Sequence, residues 1–278
     1  TTGLYNTASG NQSLEANTTG WSNSAFGKNA LYNNTTGTQN TASGKNSLLA
    51  NTTGINNTAS GVSSLYNNTS GGRNTASGYQ SLYSNTTGGY NTASGDNSLY
   101  NNTAGINNTA SGDSSLYNNT TGDRNTASGY QSLFSNTTGI NNTASGSYSL
   151  YNNTTGDYNT AVGYNARAVP ATAINQTVIG YEATGQADNS VVLGNDSVTA
   201  VYMAEDSGAT VYAADAVFSG TITGDLTGDV TGDVTGTLTG DVTGNVTGDL
   251  TGDVTGNVTG DLTGDVTGNV TGDLTGDV

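Results

Sequence analysis

Cysteine and histidine are absent from all 278 residues, proline occurs once, and Lys and Arg together number five. Each shortage excludes something. Without His or Cys there is no Ser-His-Asp or Cys-His arrangement, and no zinc site of the usual ligands. Without Cys the fold does not rely on disulfides, which says little about compartment. Five bases make no basic stripe able to displace counterions, so nucleic acid is not an expected partner. No apolar run is long enough to cross a membrane as a helix, so no membrane insertion is expected of this segment. No Walker-type or G-x-G-x-x-G loop follows a strand and opens a helix. Paired carboxylates would remain for glycosidase chemistry, but the acids of residues 1–167 are scattered and Glu205-Asp206 reads as a solvated turn. The expectation is a protein that is not an enzyme, with no catalytic residue and no cofactor.

What is present is repetition. Asn recurs at 6, 23, 40, 57, 74, 91, 108, 125, 142 and 159, always 17 residues apart, and a Gly follows each four places later, from Gly10 to Gly163. A second Gly, from Gly20 to Gly156, keeps the same spacing. The unit reads NTASG-xx-SL-xx-NTTG-xx. A fixed period of this size means a stack in which each unit rests on its neighbours. Seventeen residues are too few for two packed helices, and Gly, Asn and Thr are poor helix formers. Thr7-Ala8-Ser9 and Ser13-Leu14-Glu15 read instead as two short strands with the middle residue inward. Asn and Gly between them supply the corners. The fold expected is all-β, a parallel β-solenoid of 17-residue coils.

The inward positions make a thin core: Ala8 and its equivalents, with Leu14, Leu31, Leu48, Leu65, Leu82, Leu99, Leu116, Leu133 and Leu150. One buried Leu is worth about 1.5–3 kcal/mol, whereas ordering one backbone residue costs about 1–2 kcal/mol. A second apolar surface is therefore expected to help. After each Leu stands Glu15, Tyr32, Leu49, Tyr66, Tyr83, Tyr100, Tyr117, Phe134 or Tyr151. In a strand these would face away from the core, and so long an apolar stripe is best explained as a subunit interface, carried by Tyr32, Tyr66, Tyr83, Tyr100, Tyr117, Phe134 and Tyr151. Sugar stacking on the same rings is the second reading. Phe26, Tyr79 and Tyr130 fall off the stripe and are candidates for exposed contacts.

From Asn159 the unit changes. NTAVG (159–163) is followed by QTVIG (176–180) and then, 14 residues on, by SVVLG (190–194). GYEATGQADNSVVLGNDSV (180–198) resembles the head repeat of YadA-like trimeric autotransporter adhesins, whose 14-residue units carry an SVAIG-type strand. Similar heads, with NTASG or NTAVG units and NTTG corners, occur in phage tail-fibre proteins. The resemblance covers 159–198 most closely and extends over 1–158. It implies a left-handed parallel β-roll three chains wide, acting in surface attachment. The chain departs from the family in its longer coil and in the polar Ser of Asn-Thr-Ala-Ser-Gly.

The expected organisation is a repeat rod (1–158), YadA-like repeats (159–198), a neck with short strands (199–220) and a stalk (221–278). The chain opens and closes mid-repeat, so it reads as a segment of something longer. The stalk is a tetrapeptide, TGDV, TGDL or TGNV, placing Val, Leu and Gly on one strand face; a lone strand of this kind buries nothing. It resembles the intertwined three-chain β-prisms of phage fibres, which implies a trimeric β stalk. All of the formal charge of −16 lies beyond residue 167. The stalk acids, from Asp225 to Asp277, could gather calcium, but no calcium-loop motif is present and a solvated acidic surface is favoured. Asn-x-Ser/Thr sequons at Asn17, Asn34, Asn51, Asn85, Asn119, Asn136, Asn153, Asn245, Asn257 and Asn269 are candidate glycosylation positions. The competing reading, a corner ladder of Asn side chains bonding backbone, is preferred.

The functional expectation is a homotrimeric, extracellular fibre or adhesin segment on a virion or cell surface, giving reach and attachment to a surface glycan or protein. The alternative is a purely structural extracellular filament, glycosylated or not, with no specific receptor. Ice binding would need Thr-x-Thr pairs on an exposed strand, a pattern Thr-Ala-Ser meets poorly.

Overall fold

Three-residue strands recur wherever the sequence writes Thr-Ala-Ser or a relative of it. In the computed structural model, which describes residues 2–201, they are β1 (Thr7–Ser9), β2 (Ser24–Phe26), β3 (Thr41–Ser43) and so on every 17 residues to β9 (Thr143–Ser145). β10 (Thr160–Val162), β11 (Thr177–Ile179) and β12 (Val191–Leu193) follow. All lie side by side in chain order in one 12-stranded parallel sheet. Register never slips: Ala59 pairs with Ala76 and Ala76 with Ala93. It also survives the shorter last coil, where Thr177 pairs with Val191. Twelve strands leave eleven steps, so at about 4.8 Å each the sheet is roughly 53 Å long. The sheet crosses the expected boundary at 158/159 without a break. The neck beyond Val201 and the stalk lie outside the described residues, and with them Glu205, Asp206, the stalk acids, Asn245, Asn257 and Asn269.

Each coil has one strand, not two. The second expected strand is a turn, and Leu14, Leu31, Leu48, Leu65, Leu82, Leu99, Leu116, Leu133 and Leu150 sit in it at φ between 48° and 53°. The left-handed conformation costs about 1–2 kcal/mol for a residue with a Cβ. It is held because the bent backbone is satisfied on both sides. Leu82 N donates to Ser98 O of the next coil at 3.0 Å, and Asn85 N donates back to Leu82 O at 3.2 Å. The bend also puts the Leu side chain inside, and from Leu31 to Leu133 it is wholly buried.

Ala25, Ala42 and the later strand alanines are buried with the leucines. Ala8 is not. It was expected in the core, but every residue of β1 is exposed, because the first coil is covered on one side only. Gly78 shows why the strand must end on glycine. Its φ is +136°, and a Cβ there would lie 2.5 Å from Gly95 O.

The interior is only about half apolar; the rest is mostly amide, with buried serines such as Ser81 and Ser98. Asn17, Asn34, Asn51, Asn68, Asn85, Asn102, Asn119, Asn136 and Asn153 form one internal column, nearly all fully buried. Asn85 Nδ2 donates to Asn68 Oδ1 at 2.7 Å and to Gly88 O at 3.0 Å, and its Oδ1 accepts from Asn102 Nδ2 at 2.7 Å. The Asn that opens each unit forms a second column. Asn74 Nδ2 donates to Gly88 O at 2.8 Å, and its Oδ1 accepts from Asn91 N at 3.0 Å. Gln176 takes over this column, its backbone N donating to Asn159 Oδ1 at 2.9 Å. Buried polar groups are costly unless bonded, and here each coil bonds those of the next.

Candidate binding surfaces

Outward-facing side chains follow from the same alternation. In the strands the first and third residues are exposed and the middle one buried, from Thr41-Ala42-Ser43 to Thr143-Ala144-Ser145. That face is a double file of hydroxyls. At the far end it turns apolar: Val162 is 40% exposed, Ile179 41%, Leu193 47% and Val191 67%. Pairing aligns Val162 with Ile179 and Ile179 with Leu193, so three of these form one contiguous column.

The aromatic stripe is real, but its rings are already partnered. Tyr66, Tyr83, Tyr100, Tyr117, Phe134 and Tyr151 stack in sequence with centroids 5.0–5.2 Å apart and planes within 14°. All are half-buried, as is Tyr32. Burial raises the Tyr100 phenol above its ordinary value, and its neighbours Tyr117, Tyr83 and Tyr79 push it further, because phenolates stacked in file would repel.

A second aromatic group gathers where the rod nears its end. Tyr148 meets Tyr130 edge-on at 5.3 Å and Tyr164 at 5.9 Å, and Tyr164 stacks on Tyr181 at 5.5 Å. Tyr148 also leans on Tyr151 at 5.8 Å, joining the group to the ladder. Tyr130, Tyr164 and Tyr181 are exposed. The carboxylate of Glu182 holds the Tyr181 phenol above its ordinary value, and loss of solvent with the Tyr130 contact does the same for Tyr148. The sequence pointed to Tyr130 alone, with Phe26 and Tyr79, which are exposed as well. Tyr164 and Tyr181 keep the register of Tyr130, but Ser147 interrupts it and Tyr148 stands one place beyond, so the group is not a continuous file in the sequence.

The sequons fall on the inner column. Asn17, Asn34, Asn51, Asn85, Asn119, Asn136 and Asn153 are buried. From Asn34 onward each Nδ2 donates both to the preceding Asn of the column and to a glycine carbonyl, as Asn119 does at 2.8 and 2.9 Å. A glycan on the folded coil would have to break that file.

Close to the last coils lies an open cavity of about 790 Å³ with Asn165, Arg167, Glu182, Thr184 and Asp196 in its wall. It is polar and carries both charge signs. Among the described residues no group of three or more acids is placed to hold a metal ion. No protein-family model matches the chain, and no curated protein sequence matches it either.

Proposed function

We propose that this chain is a segment of an extracellular homotrimeric fibre that gives reach and attachment, as a phage-like tail fibre or bacterial adhesin does. The observation that carries the reading is the unbroken in-register sheet of β1 to β12, a scaffold that grows along one direction only. It has no catalytic residue and needs no cofactor; calcium along the acidic stalk is at most a diffuse counter-ion. Its reading as an adhesin rests on the exposed rings of Tyr130, Tyr164 and Tyr181, an apolar, hydroxyl-bearing surface suited to sugar faces or a protein.

Three copies associate through the strand face, where Val162, Ile179, Val191 and Leu193 have large exposed areas. The stacked ladder from Tyr66 to Tyr151 needs a partner less, since its rings cover one another. Multi-angle light scattering on the purified chain tests this: three chains per particle are expected, and Ile179→Asp should lower the count. A well-ordered monomer with the strand face open to water would refute it. Glycan-array binding that is lost on Tyr164→Ser and Tyr181→Ser supports the adhesin. Trimers that bind nothing would favour the purely structural filament.

A further inference from the structure

One outward column varies more than the rest. The residue after each NTTG-type corner is Trp21, Thr38, Ile55, Gly72, Gly89, Ile106, Asp123, Ile140, Asp157 or Ile174, and only at the adjacent positions 72 and 89 does it lack a side chain. Backbone geometry does not demand either glycine, for neither has a positive φ. A Cβ on Gly89 would come nearest Gly72 O at 3.0 Å, and one on Gly72 nearest Ile55 O at 3.0 Å. The missing side chains leave a notch of about 340 Å³ between Ile55 and Ile106, three coils or roughly 14 Å apart. The two glycines line it between these isoleucines. Arg73 and Tyr90 line it as well, with the guanidinium carbon 5.0 Å from the ring centroid and an Arg73 nitrogen bonded to the Tyr90 hydroxyl.

We propose that this notch binds a small aromatic carboxylate. The planar ring lies in the gap against Ile55 and Ile106, over backbone that no side chain shields. The carboxylate pairs with the guanidinium of Arg73, whose flat fork of donors matches two carboxylate oxygens and is exposed. A neutral apolar ligand would bring that cation no counter-charge, and a larger anion would not enter a gap closed at both ends. The site stands apart from the trimer reading, so the failure of one leaves the other intact.

The rod supplies its own control, because isoleucine already occupies this place in four other coils. The probe is 1-naphthoate, titrated into the full chain and followed by calorimetry, beside the neutral 1-naphthylmethanol. Saturable binding of the anion is expected, with an affinity at least about tenfold above that of the alcohol. Gly89→Ile should abolish it, with Gly72→Ile as the second filled variant and circular dichroism to show that each still folds. Arg73→Gln should weaken the anion at least about tenfold and leave the alcohol unchanged. No saturable binding by the unaltered chain overturns the proposal, as does undiminished binding in a folded filled variant or in Arg73→Gln.

Discussion

If the buried amides hold the coils together, removing one from the middle of a file should cost far more than removing an exposed hydroxyl. Consider Asn85→Ala. Three hydrogen bonds vanish, those to Asn68 Oδ1, to Gly88 O and from Asn102 Nδ2. Two of the partners keep a bond elsewhere: Gly88 O still accepts from Asn74 Nδ2, and Asn102 Nδ2 still donates to Gly105 O. Asn68 Oδ1 is left buried without a donor. Three bonds at about 1 kcal/mol each, with about 1–2 kcal/mol more for the orphaned oxygen, give a loss of about 4–5 kcal/mol. Asn17→Ala is the internal comparison. Asn17 heads the column, bonding only Gly20 O and Asn34 Nδ2, so about 1–2 kcal/mol is expected. Ser77→Ala, on the exposed strand face, should change stability by less than about 0.5 kcal/mol. Guanidinium unfolding followed by circular dichroism gives all three. Should Asn85→Ala fall within about 1 kcal/mol of Ser77→Ala, the amide files would be filler and the stability would have to come from the thin Ala and Leu core alone.

Other outcomes follow from the same geometry. Gly78→Ala places a Cβ against Gly95 O at a φ closed to alanine, so it should cost at least about 2 kcal/mol in the same unfolding assay, and a neutral result would mean the strand ends can relax. The raised Tyr100 phenol implies that the unfolded chain loses its proton first, near 10.0, so the folded state binds more protons above that value. The Tyr100 contribution to stability is then constant below pH 10.0 and is lost as pH rises beyond it, so stability should fall above pH 10.0 with Tyr100→Phe lessening the fall; melting temperatures that stay level from pH 10 to pH 11 would contradict this. Intact mass of chain secreted from a glycosylating host should show no glycan on Asn34, Asn51, Asn85, Asn119, Asn136 or Asn153 once folded, and full occupancy there would mean the amide column does not form.

Much of the rod could be read from the letters. Thr-Ala-Ser on a 17-residue period gave strands with alanine inward, and the unvarying spacing gave a parallel in-register stack. Ser-Leu-x was misread because a polar-apolar-polar triplet has the same pattern whether it is extended or bent. Leucine in a left-handed turn runs against local preference and is held by a bond to the next coil and another within its own. The corner asparagines were read as bonding backbone, and they do. That they also bond one another in a closed file depends on stacking, which a single unit cannot display. The gap at Gly72 and Gly89 is not legible in one unit, because it exists only between Ile55 and Ile106 of different coils. Ala8 failed for want of a coil beneath it.

Identical packing from coil to coil has an arithmetic consequence. A unit meets the one above it with the same contacts as the one below, so an in-frame duplication or loss of 17 residues leaves every internal bond type in place and moves the two ends apart or together by one increment of about 4.8 Å. Such a chain is a ruler graduated in its own gene, and lineages can adjust its span by recombination without solving a new folding problem.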